Sequence, residues 1–153
     1  MKRLLFGVGN RLSRDDGVGP VVAEQMGGTG GWHAVDCGTS LENASGIAIR
    51  IRPDLLVVVD AARMGLSPGA VRRLPIESTD RMLASTHALP LSFVLDRLSE
   101  AVGETVLIGV QPGDLSFGEG LSPAVTEAVD HLLPILSDGL IDRIPTWNRE
   151  STG

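Results

Sequence analysis

The order of apolar and polar stretches along the chain predicts alternating strands and helices. Short continuous apolar runs predict strands that are buried on both faces, as in a parallel sheet. Apolar residues spaced three or four positions apart predict helices with one buried face. The predicted strands are 4–8, 32–37, 55–59, 70–76 and 105–110, and the predicted helices begin near residues 18, 41, 90 and 122. This alternation predicts an α/β fold.

The stretch from residue 4 to residue 19 joins a predicted strand, a glycine-containing turn, two adjacent acids and the start of a helix. Gly7 and Gly9 are expected to let the backbone turn sharply where the strand ends. Asp15 and Asp16 then fall at the carboxyl end of that strand. In open α/β sheets, ligands bind at this edge.

Two structural explanations of this stretch compete with a functional one. A dinucleotide-binding glycine loop would have a third glycine where this chain has Leu12, and its helix would start sooner after the turn. An aspartate just before a helix also commonly caps the helix N-terminus. The stretch alone leaves open whether Asp15 and Asp16 cap the helix or form a site.

A second acid follows the most apolar segment of the chain. The run 55–59 is entirely apolar and rich in β-branched residues, which predicts a central parallel strand, and Asp60 comes directly after it. A buried carboxylate is costly unless it is hydrogen-bonded, paired or bound to a metal. Either Asp60 reaches solvent or caps a local turn, or it faces the same sheet edge as Asp16.

One of the three histidines has the surroundings of a metal ligand. His87 lies just before a helix that is predicted to begin at Pro90. The positive end of a helix dipole disfavours imidazolium, and neutral imidazole is the form that binds metals. The alternative is a histidine that is hydrogen-bonded within a loop. His33 and His131 fall at ordinary structural or surface positions.

The composition narrows the class of protein. The chain has 153 residues, of which 42% are hydrophobic and 21% charged, and this suits a single globular domain. We expect that domain to span residues 1–140 and residues 141–153 to form a polar, flexible tail. A net charge of −6 argues against a nucleic-acid-binding protein. The chain shows no apolar run long enough to span a membrane and no signal-peptide cleavage pattern, so we expect a cytoplasmic protein.

The composition also limits the chemistry. The single cysteine, Cys37, excludes an internal disulfide and a cysteine-cluster metal site. The chain has no Tyr, and Lys2 is its one lysine. General acid or base roles therefore fall to Asp, Glu and the three histidines.

Taken together, these motifs resemble the nickel–iron hydrogenase maturation endopeptidases. The motifs are Gly7-Val8-Gly9-Asn10 followed by Leu12 and by Asp15-Asp16-Gly17-Val18-Gly19, then Val57-Val58-Val59-Asp60-Ala61, then Thr86-His87. Other stretches are similar to the branch that serves hydrogenase 3-type large subunits: Met64-Gly65-Leu66-Ser67-Pro68-Gly69, Leu89-Pro90-Leu91 and Gly109-Val110-Gln111-Pro112. The resemblance runs from about Leu4 to Leu136.

The resemblance implies a fold, an activity and a metal site. The fold would have three α/β/α layers, with a twisted, mostly parallel sheet of about five strands and helices on both faces. Such enzymes remove a short C-terminal extension from the hydrogenase large-subunit precursor after nickel has been inserted. Their metal ligands, an acidic residue, an aspartate and a histidine, correspond here to Asp16, Asp60 and His87. Nickel would be supplied by the precursor, and no organic cofactor is implied.

The mechanism follows less directly from the residues. The chain has no His-Glu-x-x-His motif and no Asp-Thr-Gly or Asp-Ser-Gly motif, and we do not expect a serine, thermolysin-like or aspartic-protease mechanism. We hypothesise metal-assisted hydrolysis in which Asp16, Asp60 and His87 are catalytic. The ion would polarise the scissile carbonyl or activate a bound water, and one aspartate would relay a proton. Two carboxylates and an imidazole suit Ni²⁺ or Zn²⁺, and three protein ligands leave coordination positions open.

Other expectations concern the surroundings of this site. Asp15 is expected to be a capping or supporting group, and Gly38 and Thr39 are expected to line the substrate groove. One rival function is a non-catalytic nickel-delivery or checkpoint module that binds the same precursor, and another is a metallopeptidase of broader specificity. A monomer is the simplest expectation, with no membrane insertion and no nucleic-acid partner.

Overall fold

The computed structural model describes residues 1–77, 80–84 and 89–148, which are built around a five-stranded sheet. The strands are β1 Arg3–Val8, β2 Trp32–Gly38, β3 Leu55–Ala61, β4 Val71–Leu74 and β5 Glu104–Val110. Their order is β2-β1-β3-β5-β4; β4 runs antiparallel to β5, and all other neighbours are parallel. The predicted mostly parallel sheet of about five strands is confirmed.

Helices cover both faces of this sheet. They are α1 Val18–Met26, α2 Ser45–Ile51, α3 Leu91–Leu98 and α4 Pro123–Ser137. Successive strand residues point to opposite faces, so Leu5 packs with α1 and α4 whereas Leu4 and Phe6 pack with α2 and α3. Because each central strand needs apolar residues on both faces, its sequence reads as an unbroken apolar run. The three-layer α/β/α fold is confirmed.

The strand order reverses between β1 and β3. The chain leaves β1 to form β2 on one side, then returns to form β3 on the other side of β1. At such a switch point the two connections diverge and leave a crevice outside the carboxyl ends of the strands, where α/β proteins bind ligands. Asp16 follows β1 and Asp60 lies near the end of β3, so both belong to this edge.

Glycines allow α1 and the turn before it to lie directly on the strand ends. A side chain at Gly19 would place its Cβ 2.3 Å from the Val59 carbonyl oxygen and 2.4 Å from that of Val8. Gly9 has a φ of +150°, and a Cβ there would lie 1.9 Å from the Asp16 carbonyl oxygen. The expectation that Gly7 turns the chain is wrong. Gly7 is paired within β1, and its missing side chain makes room for α1.

The end of the described chain packs against the sheet. Ile141 and Ile144 are buried, at 7% and 2% exposure. The Arg73 N–H of β4 donates to the Pro145 carbonyl at 2.9 Å, and the Trp147 N–H donates to the Arg73 carbonyl at 2.8 Å. Residues 141–147 therefore cover the outer edge of β4, where a flexible tail was expected. Covering an edge strand in this way protects its unpaired backbone groups.

Two local features of α4 involve single residues. Pro134 lies inside this helix, which continues to Ser137. Ser122 occupies the N-cap position without making a side-chain cap bond, and its hydroxyl donates to Oδ2 of Asp15. Among the described residues, no helix has both the length and the apolar character needed to cross a membrane.

Candidate active site

Asp16 is held at the switch point by the short turn that precedes α1. This 3-10 turn, Arg14–Gly17, lies against β3, and it can do so because Gly9 has no side chain. Asp16 is only 2% exposed, and its Oδ2 accepts a hydrogen bond of 2.9 Å from the Asn10 backbone N–H. The turn thus carries a buried carboxylate to the carboxyl edge of the sheet.

Asp60 is part of β3 and has no exposed surface. Its Oδ1 accepts a 2.8 Å hydrogen bond from the Ala61 backbone N–H. The alternative in which Asp60 reaches solvent is therefore wrong. The last residue pair between β1 and β3 is Gly7 with Val59, and Asp60 is the next residue of β3. Asp60 therefore lies beside the carboxyl end of β1.

An open cleft of about 390 Å³ lies at this edge. Its described lining consists of Asn10, Ser13, Asp16, Thr39, Arg63, Ala84 and Leu115, and we call it the Asp16 cleft. Its size is within the range of ligand-binding clefts. Thr39 shares the cleft with Asp16, and the neighbouring Gly38 accepts a hydrogen bond of 2.8 Å from the Gly9 N–H. Asp60 is not one of the described residues that line it.

His87 lies outside the described residues, so its place relative to Asp16 and Asp60 stays a prediction. Within residues 1–77, 80–84 and 89–148, no three or more His, Cys, Asp or Glu side chains come together as a group able to hold a metal ion. His33 and His131 are both exposed, as expected for ordinary surface positions.

Asp15 has a different role from Asp16, although the two are adjacent. It has no exposed surface, and it makes no side-chain cap bond to α1, so the capping interpretation is wrong. Its Oδ2 accepts hydrogen bonds of 2.8 Å from the N–H groups of Gly113 and Asp114 and from the Ser122 hydroxyl. Its Oδ1 accepts a 2.7 Å bond from the Ser122 N–H. Asp15 therefore holds the loop that follows β5.

These hydrogen bonds also set the charge state of Asp15. Burial by itself raises the pKa of a carboxyl group, but the bonds from Ser122, Asp114 and Gly113 favour the ionised form and outweigh burial. The pKa of Asp15 is therefore held below its ordinary value. At neutral pH Asp15 is a carboxylate that accepts four hydrogen bonds.

Backbone pairing adds to this connection between the two loops. The Gly118 N–H donates to the Leu12 carbonyl at 2.8 Å, and the Arg14 N–H donates to the Gly118 carbonyl at 3.0 Å. Ser13 and Leu115, one from each loop, both line the Asp16 cleft. The wall of the cleft is thus made of two segments that are far apart in the sequence and fixed to each other.

Two side chains that could act as protease nucleophiles lack suitable surroundings. Burial, followed by the charge of Asp36, raises the pKa of the Cys37 thiol to about 12, so Cys37 is a protonated thiol at neutral pH. The residues Gly65–Gly69 fit the Gly-x-Ser-x-Gly pattern of serine hydrolases, a match that the sequence reasoning missed. That motif requires a turn from a strand into a helix. Ser67 instead lies in an exposed turn that leads to strand β4.

Sequence reasoning also missed two residues of the cleft. Asn10 belongs to the Gly7-Val8-Gly9-Asn10 motif but had no predicted role, and its backbone N–H is the group that orients Asp16. Arg63 had no role, although it supplies a cation to the described lining of the cleft. Its one signal in the sequence is its closeness to Asp60.

Comparison with known proteins gives consistent matches along this chain. A family model described as hydrogenase maturation protease, HycI, matches residues 21–138. The hydrogenase 3 maturation protease of Escherichia coli K12 is 37% identical over 134 residues, which cover 85% of each chain. The solution structure of the endopeptidase HycI from Escherichia coli superposes with a TM-score of 0.88 at 32% identity, covering 98% of this chain and 99% of that one. A [NiFe] hydrogenase maturation protease HycI from Thermococcus kodakarensis superposes with a TM-score of 0.78 at 31% identity over 92% of each chain.

Proposed function

The chain belongs to the hydrogenase maturation protease family and is a peptidase, and we propose that it removes the C-terminal extension of a nickel–iron hydrogenase large-subunit precursor after nickel insertion. The observation that carries this proposal is the pair of buried carboxylates, Asp16 and Asp60, at the carboxyl edge of adjacent parallel strands. An open cleft beside Asp16 gives a peptide segment access to this edge.

In this proposal nickel arrives as part of the substrate. Asp16, Asp60 and His87 would be the protein ligands to it, and the enzyme would thereby distinguish a loaded precursor from an empty one. The donor set suits the ion, because carboxylate oxygen and imidazole nitrogen are both accepted ligands of Ni²⁺. A cation would also offset the cost of keeping two carboxylates out of water. The ion would supply Lewis acidity toward the scissile carbonyl.

The residues of the chain would do the remaining work. The Asn10 N–H holds Oδ2 of Asp16, which fixes the direction in which its carboxylate faces the cleft. The Ala61 N–H holds Oδ1 of Asp60, which fixes this carboxylate at the carboxyl end of β3. One of the two aspartates would accept a proton from the attacking water and pass it to the departing amine. Thr39 and Leu115, on the walls of the cleft, would contact the peptide beside the cut.

The test is the intact mass of the cognate large-subunit precursor after incubation with this protein. The precursor is prepared both nickel-loaded and nickel-free. We expect loss of a C-terminal peptide from the loaded form alone. Cleavage of both forms would contradict nickel sensing and indicate a metallopeptidase of broader specificity. Tight binding without any change in mass would contradict the proposed hydrolysis and favour a checkpoint module.

Variants assign this activity to the proposed residues. Asp60→Asn and His87→Ala should each abolish processing of the loaded precursor, because each would lose a ligand. Asp130→Asn removes the same kind of charge from an exposed position on α4 and serves as the control. Full processing by either site variant would contradict the ligand assignment. The proposal further places the enzyme in the cytoplasm as a monomer, and size-exclusion chromatography with light scattering tests the monomer.

A further inference from the structure

Arg63 lines the Asp16 cleft, and the backbone that carries it is held in place by several contacts. Its backbone N–H donates to the Met82 carbonyl at 2.6 Å. The residues on either side are buried, at 0% exposure for Ala62 and 1% for Met64. The Met64 N–H donates to Oε1 of Gln111 at 2.7 Å, which fastens this segment to the end of β5. The base of the Arg63 side chain is therefore fixed, whereas the residue itself is exposed.

The charge of Arg63 is not neutralised by the described part of the protein. Other arginines near the cleft have carboxylate partners: Arg11 pairs with Glu24 at 3.0 Å, and Arg14 pairs with Asp114 at 3.8 Å. No carboxylate among the described residues lies within ion-pair distance of Arg63. Among the described residues that line the cleft, Arg63 is therefore a cation without a carboxylate partner.

A guanidinium on a fixed base is well suited to bind a carboxylate. It offers two parallel N–H groups that match the two oxygens of a carboxylate, and its preorganised base lowers the entropy lost on binding. The rest of the described lining is neutral apart from Asp16. An acidic group entering the cleft would be attracted toward Arg63 and repelled by Asp16.

We propose that Arg63 binds a carboxylate of the precursor segment that enters the Asp16 cleft and thereby favours precursors that carry this group. This inference rests on the proposed function, since it assigns the substrate preference of the same site. The carboxylate is either an Asp or Glu side chain near the cut or the C-terminal carboxylate of the extension. Arg63 is a specificity-determining residue here and takes no part in proton transfer.

The test measures cleavage of the nickel-loaded precursor by wild type and by Arg63→Gln, with Arg50→Gln as the matched control. Arg50 is an exposed arginine in α2, outside the described lining of the cleft. We expect Arg63→Gln to raise KM roughly tenfold while kcat changes by less than about twofold, because an ion pair that is desolvated in a complex contributes mainly to binding. Equal KM values for Arg63→Gln and Arg50→Gln would overturn the proposal.

Altered precursors identify the source of the carboxylate. One set replaces each acidic residue near the cut by its amide, and another carries a C-terminal amide. The correct neutralised precursor should show the raised KM with wild type and no further loss with Arg63→Gln. Arg63→Glu should regain cleavage when that acidic residue is replaced by Lys. A defect of Arg63→Gln that persists on every neutralised precursor would overturn the proposal.

The same series separates this inference from the proposed function. If the wild-type protein does not cleave the loaded precursor, the proposed function fails, and no KM can be measured for wild type or for Arg63→Gln. Binding of a fluorescent peptide that spans the cut, measured by anisotropy, then tests Arg63 by itself. Weaker binding to Arg63→Gln than to Arg50→Gln supports carboxylate recognition, and equal binding refutes it.

Discussion

Replacing Asp15 by Asn tests whether this side chain holds the wall of the cleft. The carboxylate accepts four hydrogen bonds through two oxygens, three of them at Oδ2. An Asn side chain keeps the size of Asp but turns one oxygen into an N–H donor. In the better orientation its oxygen takes the place of Oδ2, and the amide nitrogen then faces the Ser122 N–H. In the worse orientation, three donors lose their acceptor.

The structure gives an approximate size for this effect. The substitution removes at least one hydrogen bond to a charged acceptor, about 1.5–3 kcal/mol, and leaves one buried N–H without a partner, about 1–3 kcal/mol. The three bonds that remain lose their charge assistance. We therefore expect Asp15→Asn to lower the free energy of unfolding by about 3–4 kcal/mol. For a protein of this size, the melting temperature should fall by roughly 6–15 °C.

Urea unfolding at pH 7 is the assay, and Asp130→Asn is the control. Asp130 is exposed on α4, so its replacement should change the free energy of unfolding by less than about 0.5 kcal/mol. Hydrogen exchange adds a local measure, because the N–H groups of Gly113 and Asp114 should lose protection in Asp15→Asn. A free energy of unfolding within 0.5 kcal/mol of wild type would refute the reasoning that Asp15 clamps the loop.

The pH dependence gives a second check on the same carboxylate. Its pKa is lower in the folded than in the unfolded protein, so folding is stabilised wherever Asp15 is ionised in both states. This stabilisation is fully present above the ordinary Asp pKa of about 4 and is lost as the pH falls through the lower folded value. The difference in unfolding free energy between wild type and Asp15→Asn should therefore shrink below about pH 4. A difference that is constant from pH 7 to pH 3 would show that its charge is irrelevant.

Four further substitutions test other parts of the structure. Gly19→Ala should lower the free energy of unfolding in urea by about 2 kcal/mol or more, because its Cβ would lie 2.3–2.5 Å from backbone atoms of the strands. Gly46→Ala, where a Cβ would have nothing within 4 Å, should instead raise it by about 0.5–1 kcal/mol. Cys37→Ser should leave precursor cleavage within about twofold, and a complete loss would mean that the thiol takes part in the reaction. Trp147→Ala should lower the free energy of unfolding in urea by about 2 kcal/mol, because it removes apolar packing and the hydrogen bond from Nε1 to the Met64 carbonyl. An unchanged urea midpoint would contradict the packing of residues 141–147 against the rest of the protein.

The sheet could be predicted from the sequence because its signal is local. Each central strand is a continuous apolar run, and the alternation of strands and helices restricts the possible topologies. Asp16 and Asp60 could be placed at the sheet edge by the same logic, since Asp16 follows β1 and Asp60 follows the apolar run of β3. Their common placement needed no knowledge of long-range contacts.

The features that could not be predicted depend on contacts between distant segments. The Asp15 carboxylate and the Ser122 N–H that donates to it are 107 residues apart in the sequence, and no local pattern marks them as partners. The polar composition of residues 141–147 indicated a tail, but backbone hydrogen bonds to the edge strand β4 do not depend on side-chain polarity. Gly7 was assigned to a turn because glycine is common there. Its actual reason, close approach of α1, appears only once the helix is packed on the strand.

Asp15 and Asp16 show why residue type alone does not assign a role. Both are buried acids in one short turn, yet one faces the loop after β5 and the other faces the cleft. The 3-10 geometry of Arg14–Gly17 sends consecutive side chains in different directions, and Gly9 allows that turn to lie close to the strand end. One carboxylate is then used to fix the cleft wall and the other is presented within it. A change at Asp15 should therefore act on the site through the position of the loop, while a change at Asp16 should act on the chemistry itself.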